Sequence, residues 1–434
     1  MPRNGEARNG KPHELSGILH GPEMKKRVDT RVPELDGLRG LAILLVLLFH
    51  VGMLKASPSG ALLDPVMRFG WSGVDLFFVL SGFLIGGILL DNRDSVRYFA
   101  PFYARRVFRI LPIYMVVVGL YWLVWCIVPL RHDLVMHAGE PMPLAGYLSF
   151  TNNLWMAAHN NMEVFLAPSW SLAIEEQFYL TLPLVIRFVP RRWLSIVVIC
   201  ALVAVTSARS VASAFGAVTQ VQAYVLPIFR VDSLLVGVVC AMFVRWERGK
   251  DWLTRWGWLL IIPVAIAASA IWAIDLALPV RWAKPGAPIM RYGLTLVALG
   301  YASLLLLALA RPQWGLGRVL RSAPLRFLGR ISYFVYLVHW GVLRSTTVLV
   351  HELAPHSGAN FMLAAMVGAL AITFAIAELS WRFFESRMLA IGHQVKYSTP
   401  PRVIPAKPVG IGLKQPGIIA TGESSALSQT SEAA

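Results

Sequence analysis

The 434-residue sequence predicts an all-α polytopic membrane protein with about ten transmembrane helices and both termini in the cytoplasm. Three observations predict it. Hydrophobic residues make up 56% of the chain and charged residues only 15%, where soluble domains carry about 25% charge. The apolar residues gather in runs of roughly 20, the length that crosses a ~30 Å hydrocarbon core as a helix. The Lys and Arg residues alternate between connections as the positive-inside rule demands.

In chain order, residues 1–30 are polar and rich in Gly, Pro, Lys and Arg, and read as a disordered cytoplasmic segment. Residues 1–39 hold no compact apolar h-region, so the first span is expected to serve as an uncleaved insertion signal. A transmembrane domain is expected over 31–390. Its spans fall near 38–54, 71–90, 110–130, 170–189, 193–209, 221–244, 256–278, 290–310, 330–350 and 360–379. The first is short and the fourth begins polar, which suits helices that line an interior. The long connection 131–169, with Tyr147, Phe150, Trp155 and His159, is expected to cap the extracytoplasmic mouth. After the last span, WRFFESRM reads as an interfacial helix. Residues 391–434 read as a disordered cytoplasmic tail, and no second folded domain is expected.

The connections after the even-numbered spans, counted with the flanking span ends, hold 17 Lys and Arg residues, against 7 after the odd-numbered ones. The N-terminal lead adds 8 and the tail 6 to the rich side, so both ends face the cytoplasm, as an even span count requires. This accounts for the net charge of +16. No nucleic-acid motif accompanies that charge, so the expected partner is the lipid bilayer and not a nucleic acid. Cys126, Cys200 and Cys240 lie far apart in apolar runs with no CxxC, which predicts neither disulfide nor metal site.

Residues 31–54, RVPELDGLRGLAILLVLLFHVGML, carry Arg39 and His50 eleven residues apart. On a helix that is about 20° past three turns, so both lie on one face, roughly 16 Å apart along the axis. An ionisable group deep in a span is costly and marks a candidate functional residue. His50 fits either a buried histidine bonded to a neighbouring carbonyl or a general base that takes a hydroxyl proton at neutral pH. Arg39 fits a positive-inside flank or an anion ligand.

The second span, WSGVDLFFVLSGFLIGGILL, places Asp75 near its outer end and Ser81 midway, with Gly82, Gly86 and Gly87 spaced for close helix packing. A serine there commonly bonds its own helix; a nucleophile is the other reading. In YFAPFYARRVFRILPIY, Arg106 and Arg109 share a helix face. They suit headgroup anchoring or bidentate phosphate binding. The fourth span opens SWSLAIEEQFYL, where Glu175 and Glu176 point about 100° apart, so one at most lines a cavity. Trp170 and Tyr179 there suit an aromatic belt. Arg230 and Asp232 of the sixth span are expected to pair with other spans, and Tyr336 with His339 to form a polar seam. These groups describe a polar path through a membrane, in an enzyme or a transporter.

The order of six segments resembles the acyltransferase 3 family of polytopic membrane acyltransferases. They are LDGLRGLAILLVLLFH, FFVLSGFLI, FYARRVFRILPIY, PSWSLAIEEQFYLTLPL, FRVDSLLVG and ISYFVYLVH, spread over residues 35–339. The resemblance implies transfer of an acyl group, commonly acetyl, from cytoplasmic acyl-CoA to a hydroxyl of a carbohydrate or lipid-linked glycan, in a bacterial cytoplasmic membrane. It implies that Arg39 and His50 are linked to activity, that Arg106 and Arg109 are the family's paired arginines, and that Glu175, rather than Glu176, is its glutamate. On this basis acyl-CoA, as acetyl-CoA, is the expected co-substrate, held by Arg39, Arg106 and Arg109. His50 is the expected base, oriented by Glu175 or Asp75. Ser81, Trp71 or Trp170 is expected to face the oxyanion or the substrate. Acyl transfer first onto His50 is the alternative chemistry. A transporter for an anionic metabolite, or acylation of a lipid or secondary metabolite, is the alternative function.

Overall fold

The computed structural model describes residues 32–54, 64–127, 142–162, 166–277 and 289–398. The segments expected to be disordered at 1–30 and beyond 398 lie outside the described residues. So does part of the 131–169 connection. Among the described residues every regular element is helical.

Helix α1 spans Pro33–Met53. Its start precedes the first apolar residue run because Pro33 sits at the first turn with Glu34 and Asp36, which suit the positive helix end. A short helix α2, Asp64–Phe69, and a tight turn at Gly70–Ser72 lead into α3, Gly73–Asp91. Helix α4 is Phe99–Ile127. Two short helices follow, α5 at Leu144–Leu148 and α6 at Asn152–His159. Then come α7, Ser169–Phe188, and α8, Arg191–Ala214.

The expected sixth span is broken into α9 (Gln220–Val225), α10 (Pro227–Arg230) and α11 (Asp232–Phe243). Thr219 and Gln222 form a capping box that starts α9. Leu226 is extended, as the residue before a proline prefers. Helices α12 (Glu247–Trp256), α13 (Ile261–Ala277), α14 (Leu294–Ala310), α15 (Gly315–Leu320), α16 (Ala323–Leu353) and α17 (Ala359–Ser380) complete the bundle.

Among the described residues, seven segments are long and apolar enough to cross a membrane, and they coincide with expected spans 1, 2, 3, 5, 7, 8 and 10. The other three expected spans fall on α7, on the broken α9–α11 and on α16. Their polar residues explain the lower hydropathy: Glu175 and Glu176 in α7, Arg230 and Asp232 at the break, and Arg330, His339 and Arg344 in α16. These helices line the interior described below. The chain is an all-α polytopic membrane protein.

Helix α3 is the centre of the bundle: 72% of its apolar window is buried, against 17% for α8 and 22% for α17. It crosses α11 at glycines. A Cβ on Gly82 would lie 1.9 Å from the Leu234 carbonyl oxygen, and one on Gly237 would lie 2.2 Å from that of Val79. The small-residue spacing in the sequence serves this crossing.

A fully buried ion network ties the broken helix to its neighbours. Arg230 donates to both oxygens of Asp75, at 2.7 and 3.0 Å, and the Ser233 hydroxyl donates to Asp75 at 2.7 Å. Asp232 pairs with Arg209 at 2.8 Å and accepts from Thr295 at 2.7 Å. Arg230 and Asp232 thus find their main partners on other helices and approach each other only to 4.0 Å. Asp75, expected among the catalytic residues, has its carboxylate taken up by Arg230 and Ser233. Arg209, the last residue of the expected fifth span, belongs to this interior.

Described helix continues past residue 391, where the tail was expected. After a widened turn at Trp381–Glu385, helix α18 runs from Ser386 to Gln394, and Ser398 bonds to residues 95–97. The WRFFESRM segment is thus the bend between α17 and α18, which packs against α4.

Candidate active site

Two cavities lie end to end along α1. The first, about 300 Å³, is lined by Arg39 of α1, Ser81 of α3, Arg106 and Arg109 of α4, Glu175 and Tyr179 of α7, and Tyr336 of α16. The second, about 690 Å³, is lined by His50, Trp71, Trp170, Tyr224, Tyr336 and Trp340, together with amides and Arg344. Tyr336 lines both, and its hydroxyl shares a 2.6 Å hydrogen bond with Ser171. The helical spacing that put Arg39 and His50 on one face therefore delivers one of them to each cavity.

The first cavity is cationic. Arg39 donates to Asp36 at 3.1 Å. The buried Nε of Arg106 has no hydrogen-bond partner among the described residues, so this guanidinium retains capacity for an anion. Glu175 is the acidic residue of this wall, hydrogen-bonded to Ser81 and Tyr179 and near Arg109 and Arg106. Glu176 lines neither cavity, and one of its buried oxygens lacks a partner. The two glutamates thus diverge as their 100° separation requires, and Glu175 faces inward instead of reaching an interface. Ser81 is bonded to the Tyr179 hydroxyl at 2.5 Å.

The second cavity is aromatic and sparsely charged. The His50 imidazole Nδ1 bonds the Val46 carbonyl at 2.8 Å. A carbonyl only accepts, so Nδ1 carries the hydrogen, and the neutral ring keeps its lone pair on Nε2. That is the form a general base needs. The Val46 carbonyl, rather than a carboxylate, orients this ring: Glu175 lines the other cavity and Asp75 lines neither. The His50 ring centroid lies 4.8 Å from that of His339 and 5.1 Å from that of Trp340. His339 is fully buried, with Nδ1 bonded to the Tyr336 carbonyl at 2.8 Å. Asn160, Asn161 and Gln220 supply amides to the wall, so the connection expected to cap a mouth contributes its end to this cavity.

Residues 32–378 match the acyltransferase 3 family, described as an acyltransferase domain. The chain belongs to this family. The acyltransferase 3 chain is 28% identical over 371 residues to a peptidoglycan O-acetyltransferase of Listeria monocytogenes, covering 82% of this chain and 55% of that protein. A Bacillus subtilis protein provisionally named a peptidoglycan O-acetyltransferase is 30% identical over 370 residues, again 82% of this chain and 54% of the other. A Komagataeibacter xylinus protein provisionally named a membrane-bound transacylase is 29% identical over 368 residues, 81% of each chain. The chain spans about half the length of the first two. No solved structure matches it.

Of the residues expected to act, this acyltransferase 3 domain gathers Arg39, Arg106, Arg109, Glu175 and Ser81 in one cavity and His50, Trp71 and Trp170 in the other. The sequence reading missed Tyr336 as the shared wall, Trp340 beside His50, and Tyr179 against Ser81. The i, i+4 step from Tyr336 to Trp340 to Arg344 was the available signal, because it sets all three on one face of α16.

Proposed function

We propose that this chain transfers an acyl group, acetyl in the first instance, from acyl-CoA in the first cavity to a carbohydrate hydroxyl in the second. The observation that carries this reading is the pair of cavities sharing Tyr336, one lined by arginines and the other by His50 and aromatic rings. The relatives' names support a carbohydrate acceptor. So do the Trp and Tyr faces and the amides of the second cavity, which suit sugar rings and hydroxyls. The positive-inside count supports an arginine mouth on the cytoplasmic side of a bacterial inner membrane.

Arg106 and Arg109, with Arg39, hold the phosphates of the donor. The roughly 16 Å from Arg39 to His50 matches the reach of an extended pantetheine arm. His50 Nε2 takes the proton of the acceptor hydroxyl as its oxygen attacks the thioester carbonyl carbon. The carbon–sulfur bond then breaks, and the CoA sulfur leaves with the proton that His50 returns. Trp71 and Trp170 flank the acceptor. Glu175 positions the Arg106 and Arg109 side chains and balances their charge.

The test is release of free CoA by purified full-length protein given acetyl-CoA and glycan fragments, with mass spectrometry for the added acetyl group. A transporter gives no release. Arg106→Ala with Arg109→Ala is expected to raise the KM for acetyl-CoA at least tenfold, because each guanidinium–phosphate contact is a charge-assisted bond of roughly 1.5–3 kcal/mol. An unchanged KM would return both arginines to headgroup anchoring.

A further inference from the structure

We propose that the C-terminal segment 386–398 completes the donor site, with His393 as an additional ligand for the donor's phosphates; this rests on the reading of the first cavity as the acyl-CoA site. The segment lies beyond residues 32–378, which carry the family match. Its helix, α18, packs against the stretch of α4 that carries Arg105, Arg106 and Arg109. Gly392 permits the close approach: a Cβ there would lie 3.0 Å from the Phe108 Cβ and 3.3 Å from the Arg105 Cα. That approach sets His393 into the wall of the first cavity with Arg39, Arg106 and Arg109.

The chain beyond α18 is tied down on the same end of α4. The Arg105 guanidinium lies 4.9 Å from the Tyr397 ring centre and donates to the Val395 carbonyl at 3.5 Å. The Ser95 hydroxyl donates to the Ser398 carbonyl at 2.8 Å, and the Arg97 amide donates to the Ser398 hydroxyl at 3.1 Å. The segment thus clasps the arginine-bearing turns of α4 from the helix to residue 398. It adds a donor to a mouth that already holds three guanidiniums.

Three guanidiniums around one small cavity repel one another, and Glu175 and the Asp36 partner of Arg39 offset them only in part. A polyphosphate offsets the rest. An imidazole brings an N–H to such a ligand whether it is neutral or protonated, without requiring a fourth permanent charge in the wall. Coenzyme A carries a diphosphate and a 3′-phosphate, enough acceptor oxygens for all four side chains.

The experiment uses the full chain in detergent, with acetyl-CoA and 3′-dephospho-acetyl-CoA as donors. His393→Ala is expected to raise the KM for acetyl-CoA roughly five- to tenfold and to leave kcat within about twofold. Gly392→Leu, which forces α18 off α4, is expected to act in the same direction. His393→Gln, which keeps an N–H donor, is expected to recover most of the loss. A smaller KM effect on the 3′-dephospho donor assigns His393 to the 3′-phosphate, and an equal effect assigns it to the diphosphate. An unchanged KM in folded His393→Ala protein, with the melting temperature of the parent, overturns the proposal. If Arg106→Ala with Arg109→Ala raises KM while His393→Ala does not, this inference fails alone. If neither does, the reading of the cavity fails with it.

Discussion

Replacing His50 by alanine is expected to lower acyl transfer by a factor of about 10²–10⁴, the range that a positioned general base supplies, while the protein still inserts and folds. The expectation follows from the ring's arrangement. Nδ1 is committed to the Val46 carbonyl within the same helix turn, and the ring packs against the His339 and Trp340 rings of α16. The free nitrogen belongs to a ring that lines the aromatic cavity. Removing it deletes the proton acceptor but leaves the helix contacts of α1 with α16 and α3 in place. The check is twofold: acetylated product by mass spectrometry, and the melting temperature and size-exclusion profile of the variant in detergent. Normal turnover in folded His50→Ala protein would remove this residue from the reaction. A stable acetyl adduct on His50 in the parent, trapped without acceptor, would instead favour transfer through the imidazole.

Breaking the Asp75–Arg230 pair is expected to be the most damaging change to stability. Both side chains are fully buried, and Arg230 donates two bonds to one carboxylate. Removing one partner from such a pair leaves an uncompensated buried charge and costs about 3–5 kcal/mol. Asp75→Ala should therefore collapse the yield of folded protein and lower the melting temperature steeply. Arg230 also lies 5.0 Å from the centre of the Tyr224 ring and 6.0 Å from that of Trp170, two residues of the second cavity's wall. Arg230→Ala should consequently loosen that cavity as well. The double replacement Asp75→Leu with Arg230→Met removes both charges and is expected to recover much of the stability. If Asp75→Asn stays as stable as the parent yet loses all transfer, the residue acts in the reaction, and the structural assignment is wrong.

The features that the sequence made legible were local ones. Apolar runs located the helices because their length is fixed by the bilayer and by the rise per residue. The eleven-residue step from Arg39 to His50 and the three-residue step from Arg106 to Arg109 were readable for the same reason. The family resemblance added the choice of Glu175, whose inward position the helix geometry then explains. The break in the sixth span carries two marks in the sequence, Pro227 and the charged Arg230 and Asp232 within an apolar run.

What the sequence could not yield was contact between distant segments. Asp75 read as a candidate orienter because its partner, Arg230, is 155 positions away. Arg209 looked like a charge at a span end because hydropathy counts a charge and ignores what it meets. Tyr336 carried no mark of its position between two cavities, since a tyrosine on an amphipathic helix is commonplace. His393 lay in a stretch whose Pro, Gly and Lys content downstream suggested a tail from residue 391, whereas α18 continues to Gln394.

A bundle holding two cavities end to end must also keep a bilayer sealed. In this chain the residue common to both cavity walls is Tyr336, whose phenol is bonded to Ser171. The ring that lines both cavities is therefore placed to close one from the other. Its size is limited from two sides: large enough to keep the two cavities apart, and small enough to leave space open in each.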